Sequence, residues 1–214
     1  MTPRPVSTAR RGFRLRRGVA GALSALLFFY AASWPASADD TRPVTAILLL
    51  GRAELPDPDF AESVVLVMNN LGAAPAGVIV NRPTRVAVAE LFPGLKRLAP
   101  LHDKVYFGGP VGFESVWFLF RATTPPEHAI QAFEGVYVSA DRELLLKLLG
   151  RTKPMEGLKI FLGHAGWAPG QLEAEIERGA WNLERADSEV IFNGKSEHPW
   201  PGSPHPKAGT APML

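Results

Sequence analysis

The sequence predicts an α+β fold, one domain on a mixed, largely antiparallel β-sheet flanked by short helices. Three observations carry that expectation. Short aliphatic and β-branched runs recur close together, as at residues 63–68 and 77–80, with links too short for a crossover helix. Helical periodicity is confined to brief stretches such as residues 141–149. The composition, 46% hydrophobic and 21% charged over 214 residues, suits one globular core.

Residues 1–38 read as a secretory signal. Arg4, Arg10, Arg11, Arg14, Arg16 and Arg17 precede an apolar run over residues 19–34, and Ala36-Ser37-Ala38 then offers A-x-A spacing. The run is shorter than the ~20 residues of a comfortable span, which favours cleavage over an uncleaved anchor. Arg10-Arg11-Gly12-Phe13 approaches a twin-arginine export motif, but Arg14 fills a position where that motif takes an apolar residue, so a plain arginine-rich leader is preferred. The expected location is periplasmic; a retained leader would make the protein membrane-anchored, and a misassigned start would make it cytoplasmic. Six of the 23 basic residues lie in this leader with no acid, leaving 17 basic against 21 acidic residues in the remainder. That body lacks the basic stripe that phosphate-backbone contact needs, so no direct nucleic-acid binding is expected. With no cysteine, disulfides and thiolate chemistry are excluded.

In the body, residues 39–193, the first strand is expected at 44–50, between Pro43 and Gly51. A Pro- and Asp-rich connector, residues 55–60, leads to strands at 63–68 and 77–80. After Asn81-Arg82-Pro83, Thr84 is placed to cap a short helix through Val86, Leu91 and Phe92. Residues 105–107 and 116–120 look like a strand pair joined by Gly108-Gly109-Pro110-Val111-Gly112 as a hairpin or bulged turn. A strand at 136–139 precedes a helix at 141–149 whose Leu144, Leu145, Leu148 and Leu149 form the apolar face. A strand at 159–162 feeds a glycine-rich loop and an acidic helix, and a strand at 181–183 precedes a helix begun by Asp187-Ser188-Glu189. Residues 194–214 are proline-rich and read as a disordered tail.

The stretch from Gly163 to Trp181, GHAGWAPGQLEAEIERGAW, organises the rest. As an anion cradle it fails: Pro169 removes a donor, no lysine follows Gly170, and Glu173 and Glu175 put negative charge on the first turns. Gln171 and Glu175 lie one turn apart, as do Glu173 and Glu177, so a face of amides and carboxylates is expected over the loop. Asn81, Arg82, Gly108 and Gly109 would also stand at strand ends, so the three motifs are expected to meet at one sheet edge. Arg82 could hold a carboxylate or phosphate bidentately, or pair with a carboxylate such as Glu173. The candidate recognition surface is therefore Asn81, Arg82, Gly108, Gly109, Gln171, Glu173 and Glu175. No catalytic residue, metal ligand or cofactor site is assigned: His102, His128, His164, His198 and His205 lack metal spacing, and neither G-x-S-x-G nor a dinucleotide fingerprint is present.

Gly166-Trp167, Pro169-Gly170-Gln171-Leu172-Glu173, Glu175 and Trp181 resemble the signature of the YqgE/AlgH proteins. The resemblance spans residues 44–192, and Asn81-Arg82-Pro83 and Gly108-Gly109-Pro110 extend it. It implies the same α+β architecture and no agreed biochemistry, although family members are linked by name to transcriptional regulation. The leader is an addition to the family pattern, and His164 stands where it has tyrosine. The expectation is a non-enzymatic, exported interaction or regulatory module for an unknown protein or small-molecule partner. The alternatives are a small hydrolase or ligand-binding enzyme using carboxylates and Arg82 at one sheet edge, or a tethered or cytoplasmic regulator.

Overall fold

The computed structural model describes residues 46–69 and 71–193; the leader and the proline-rich tail lie outside them. The strands are β1 (Ile47–Gly51), β2 (Val64–Met68), β3 (Ala76–Ile79), β4 (Pro83–Ala87), β5 (Lys104–Phe107), β6 (Val111–Arg121), β7 (Ile130–Phe133), β8 (Val136–Ser139), β9 (Leu158–Gly166) and β10 (Trp181–Arg185). The helices are α1 (Val88–Leu91), α2 (Arg142–Leu149), α3 (Gln171–Glu177) and α4 (Ser188–Asn193). The strands form one curled sheet in the order β10-β1-β2-β3-β9-β6-β8-β7. All of these pairings are antiparallel; β5 alone joins β9 in parallel and carries β4 on its other side.

The curl divides the apolar side chains among three clusters. Inside it, Leu48, Leu66 and Val78 of the first three strands meet Leu119, Val138 and Phe161, and Ile191 of α4 closes the space. On the outer face of the second half, Leu145 and Leu149 of α2 cover Phe118, Phe120 and Ile160. On the outer face of the first half, Leu172 of α3 packs with Leu49, Val65, Ile79 and Ala165. Asp141 caps α2 by accepting from the Leu144 N–H at 2.7 Å, which satisfies one of the open donors of the first turn.

Four local expectations are corrected. No helix starts at Thr84: residues 83–87 form β4, where Pro83 and Ala87 pair with Tyr106 and Lys104, and the Thr84 hydroxyl accepts from the nearby Val86 N–H within the strand. The helix begins at Val88, its start held by Glu90, which accepts from the Ala87 N–H at 2.8 Å. β5 and β6 are not a hairpin, because both pair with β9, which separates them. β9 does not stop at residue 162 but runs to Gly166, since Gly163 at φ 69° lets the strand jog and continue. β7 was not expected; its short run pairs with β8 over the Gly135 turn.

Candidate functional site

Gly108 occupies the fork where β3 and β9 separate. Its N–H donates to the Leu162 carbonyl and its own carbonyl accepts from the Ile79 N–H, both at 2.9 Å, so one residue joins the two strands. A Cβ at Gly108 would meet the Gly163 carbonyl oxygen at 2.3 Å, and one at Gly109 would lie 2.4 Å from the Ala165 nitrogen. These glycines permit three backbone segments to cross in contact, a packing role set by steric exclusion.

Asn81 and Arg82 act on the connector before β2. Asn81 accepts from the Val64 N–H at 2.9 Å and donates to the Glu62 carbonyl at 3.0 Å. Glu62 itself sits at φ 57°, a conformation costly for glutamate, and the Asn81 bond helps hold it there. Arg82 donates to the carbonyls of Pro58 and Ala61, at 3.0 and 2.6 Å. Its guanidinium therefore braces backbone, and Glu173 remains exposed on α3.

The braced connector presents Phe60 to the tryptophans. Its ring lies 6.2 Å from Trp167 and 5.8 Å from Trp181, and the two indoles lie 6.3 Å apart, edge to face. Glu175 Oε2 accepts from both indole N–H groups, at 3.0 Å from Trp167 and 2.9 Å from Trp181. Glu175 Oε1 accepts from the Gln171 side-chain amide at 2.9 Å, and the Gln171 side-chain Oε1 accepts from the Ala168 N–H at 3.0 Å. Partial burial alone would raise the Glu175 carboxyl, but the bonds from Trp181, Gln171 and Trp167, with Arg178 nearby, hold it below the usual glutamate range. It is thus an ionised acceptor at neutral pH. A general acid would need the opposite shift.

The three motifs are therefore knitted together: Asn81 and Arg82 hold the connector, Phe60 joins it to Trp167 and Trp181, and Glu175 and Gln171 fix the loop. Six of these seven residues stand in the sequence motifs and Phe60, the link, does not; its signal is that it is the one aromatic inside a Pro- and Asp-rich connector. The exposed remainder lies beside this assembly. β6 places residues 112–115 between its pairings at Val111↔His164 and Val116↔Leu162, so it bulges opposite Gly163. Gly112 at φ 61° and the Ser115 hydroxyl, donating to the Gly112 carbonyl at 2.6 Å, shape the bulge. Its Phe113 is 57% exposed and stacks on Phe107 at 5.7 Å, and neighbouring Val111 is also exposed. His164 stacks on Trp117 at 4.7 Å, and burial pushes its imidazole below the usual histidine value. Among the described residues, no group of three or more histidines and carboxylates converges as a metal site would require.

With this geometry in view, comparison with known proteins is decisive for the family. The AlgH-like family model, DUF179, matches residues 48–203. The chain belongs to the AlgH-like family. A UPF0301 protein of Chlorobaculum tepidum is 36% identical over 165 residues, covering 76% of this chain and 86% of the relative. A UPF0301 protein of an Anaeromyxobacter species is 37% identical over 164 residues, covering 71% and 82%. Among solved structures, the AlgH protein of Pseudomonas aeruginosa superposes with a TM-score of 0.58 at 28% identity, covering 70% of this chain and 80% of that one. A Corynebacterium diphtheriae protein gives 0.54 at 26% identity over the same shares. The single domain with a curled, largely antiparallel sheet is thus the fold of this AlgH-like group.

Proposed function

We propose that this AlgH-like protein is a non-enzymatic interaction module, exported by its leader, that presents one face to a protein partner. The observation that carries the reading is the division of labour at the loop edge. Gln171, Glu175, Asn81 and Arg82 are engaged by the protein's own backbone and indoles, whereas Glu173 on α3 and Phe113 on the β6 bulge face outward. A rigid frame carrying an exposed aromatic and an exposed carboxylate suits recognition, since an aromatic anchor buries area at low entropic cost. The hydrolase alternative is less well supported, because Glu175 and Arg82 already hold internal partners. The acidic body argues against direct contact with nucleic acid.

A photo-crosslinking residue at position 113 or 173, compared with one at exposed Lys153, tests the face in cells. A discrete adduct from the first two positions, lost when Glu173→Lys is combined with the probe at 113, supports it. Equal yields from all three positions would overturn it. N-terminal sequencing of protein from separated periplasmic, membrane and cytoplasmic fractions tests export, with a start at Asp39 expected in the periplasm.

A further inference from the structure

Three strands, β4, β7 and β10, have one side without a strand partner among the described residues, and two of them carry features that discourage pairing with another chain. β4 opens on Pro83, and its register against β5 shifts between Pro83 and Ala87. β7 shifts register against β8 between Gln131 and Phe133. β10 has neither feature. It pairs with β1 through five consecutive residues, contains no proline or lysine, and exposes Asn182, Leu183, Glu184 and Arg185. Leu183 is 50% exposed, although Leu49, opposite it on β1, belongs to the buried outer cluster with Leu172 of α3. The outer apolar cluster thus runs out to this edge and ends in solvent.

The ladder fixes which backbone groups β10 turns outward. The Gly51 N–H donates to the Ser63 carbonyl at 2.8 Å, so Gly51, Leu49 and Ile47 aim their backbone groups at β2, and Leu48 and Leu50 aim theirs at β10. Leu48 and Leu50 face Glu184 and Asn182, which leaves the N–H and C=O of Leu183 and Arg185 directed away from the sheet. We propose that β10 is the edge of a symmetric dimer, pairing antiparallel with β10 of a second copy of this chain about a two-fold axis at Leu183. An axis normal to the sheet keeps each side chain on its own face, so only registers that set one residue opposite itself are allowed. With Leu183 on the axis, two leucines meet on the outer face, and Arg185 lies opposite the second copy's Trp181. Asn182 then lies opposite the second copy's Glu184, an amide and carboxylate pair made twice. Moving the axis to Glu184 would oppose two carboxylates, and moving it to Asn182 would push Glu184 and Arg185 past the end of the facing strand. A five-residue ladder is small against the ~1,200 Å² at which stable interfaces begin, so the dimer is weak and depends on concentration. The β6 bulge takes no part in it, so the pairing is independent of the recognition face.

Sedimentation equilibrium of the protein recovered from cells, at concentrations up to about 1 mM, tests the pairing, with a dimer dissociation constant of about 100 µM expected. Leu183→Lys sets two like charges together on the axis and should weaken the dimer about tenfold or more. Asn182→Lys sets a lysine opposite Glu184 twice and should tighten it about threefold at low salt. Were Asn182 on the axis, the same change would oppose two lysines and weaken the dimer, so its sign reads the register. Melting temperatures of dilute samples check that both variants keep the fold. A monomer at about 1 mM would overturn the proposal, whether the edge then stays bare or takes a strand from another protein. So would a dimer that Leu183→Lys leaves intact, or one that Asn182→Lys weakens.

Discussion

The loop assembly under α3 and the cleft along α2 both concentrate polar residues, yet they use them in opposite ways. Under α3, Glu175 receives three N–H donors, and each donor belongs to the same short stretch of chain. Along α2, Glu143 and Lys147 line an open cavity, while the guanidinium of Arg121 at its rim is held by Glu189 and the Ser188 carbonyl. The lesson is that charge density does not mark a site. Whether the folded chain already answers the charges does. The first region is therefore expected to govern stability, and the second to tolerate substitution.

The largest effect should come from Trp167→Ala. Trp167 is buried among Phe60, Trp181 and the α3 core, and its loss should cost about 3–5 kcal/mol of unfolding free energy. Denaturant unfolding checks this. A loss below about 1 kcal/mol would mean that the assembly is loosely packed and the contrast between regions fails.

Glu175→Leu comes next, at about 3 kcal/mol, because it strands two partly buried indole N–H groups. Glu175→Gln should cost less, since one amide oxygen can still accept. The folded carboxyl lies below its unfolded value, so its contribution is full above the ordinary glutamate range and is lost as pH falls through the lowered folded value. Melting temperatures of wild type and Glu175→Leu should accordingly converge in acid. Parallel curves would show that the carboxylate is not the stabilising group.

The inner face sharpens the rule with the opposite sign. Lys159 donates to the Val80 carbonyl at 3.1 Å with its amine 4.1 Å from the Tyr106 ring centre, and burial lowers it to about 8. Above that value the unfolded chain binds more protons than the folded one, so this lysine makes stability rise with pH until its unfolded value is passed. The gain should reach about 2–3 kcal/mol. Lys159→Met should flatten that rise in melts between pH 7 and pH 10, and an unchanged slope would assign it to other groups.

Much of the sheet was legible because strand runs such as VVLVM of β2 are apolar throughout and bounded by turn residues. The leucine face of α2 was legible for the same local reason. What escaped was non-local. Nothing within residues 105–120 says that β9 will lie between β5 and β6, and Thr84 looks like a cap until β5 supplies a strand partner. At the candidate site, residue identity was legible and direction was not. Gln171 and Glu175 sit one turn apart, as helical spacing requires, but it is the positions of Trp167 and Trp181 that turn Glu175 inward. The α2 cleft is not legible because Glu127 and Arg121, from a loop and a strand end, join the helix residues Glu143 and Lys147 only through the fold.

The smallest expected effect decides whether the exposed bulge belongs with the frame or with the recognition face. Phe113→Ser removes a ring that is mostly in solvent and touches Phe107 on one side, so the stability change should stay within about 0.5 kcal/mol. Arg82→Ala provides the internal scale. It frees two connector carbonyls that water can partly reach, and should cost about 1 kcal/mol. If Phe113→Ser melts below Arg82→Ala, the Phe107 stack is structural and the bulge belongs to the frame. If it melts with wild type, an aromatic ring is maintained on the surface by a four-residue bulge without contributing to the fold, and recognition is the physical role left to it.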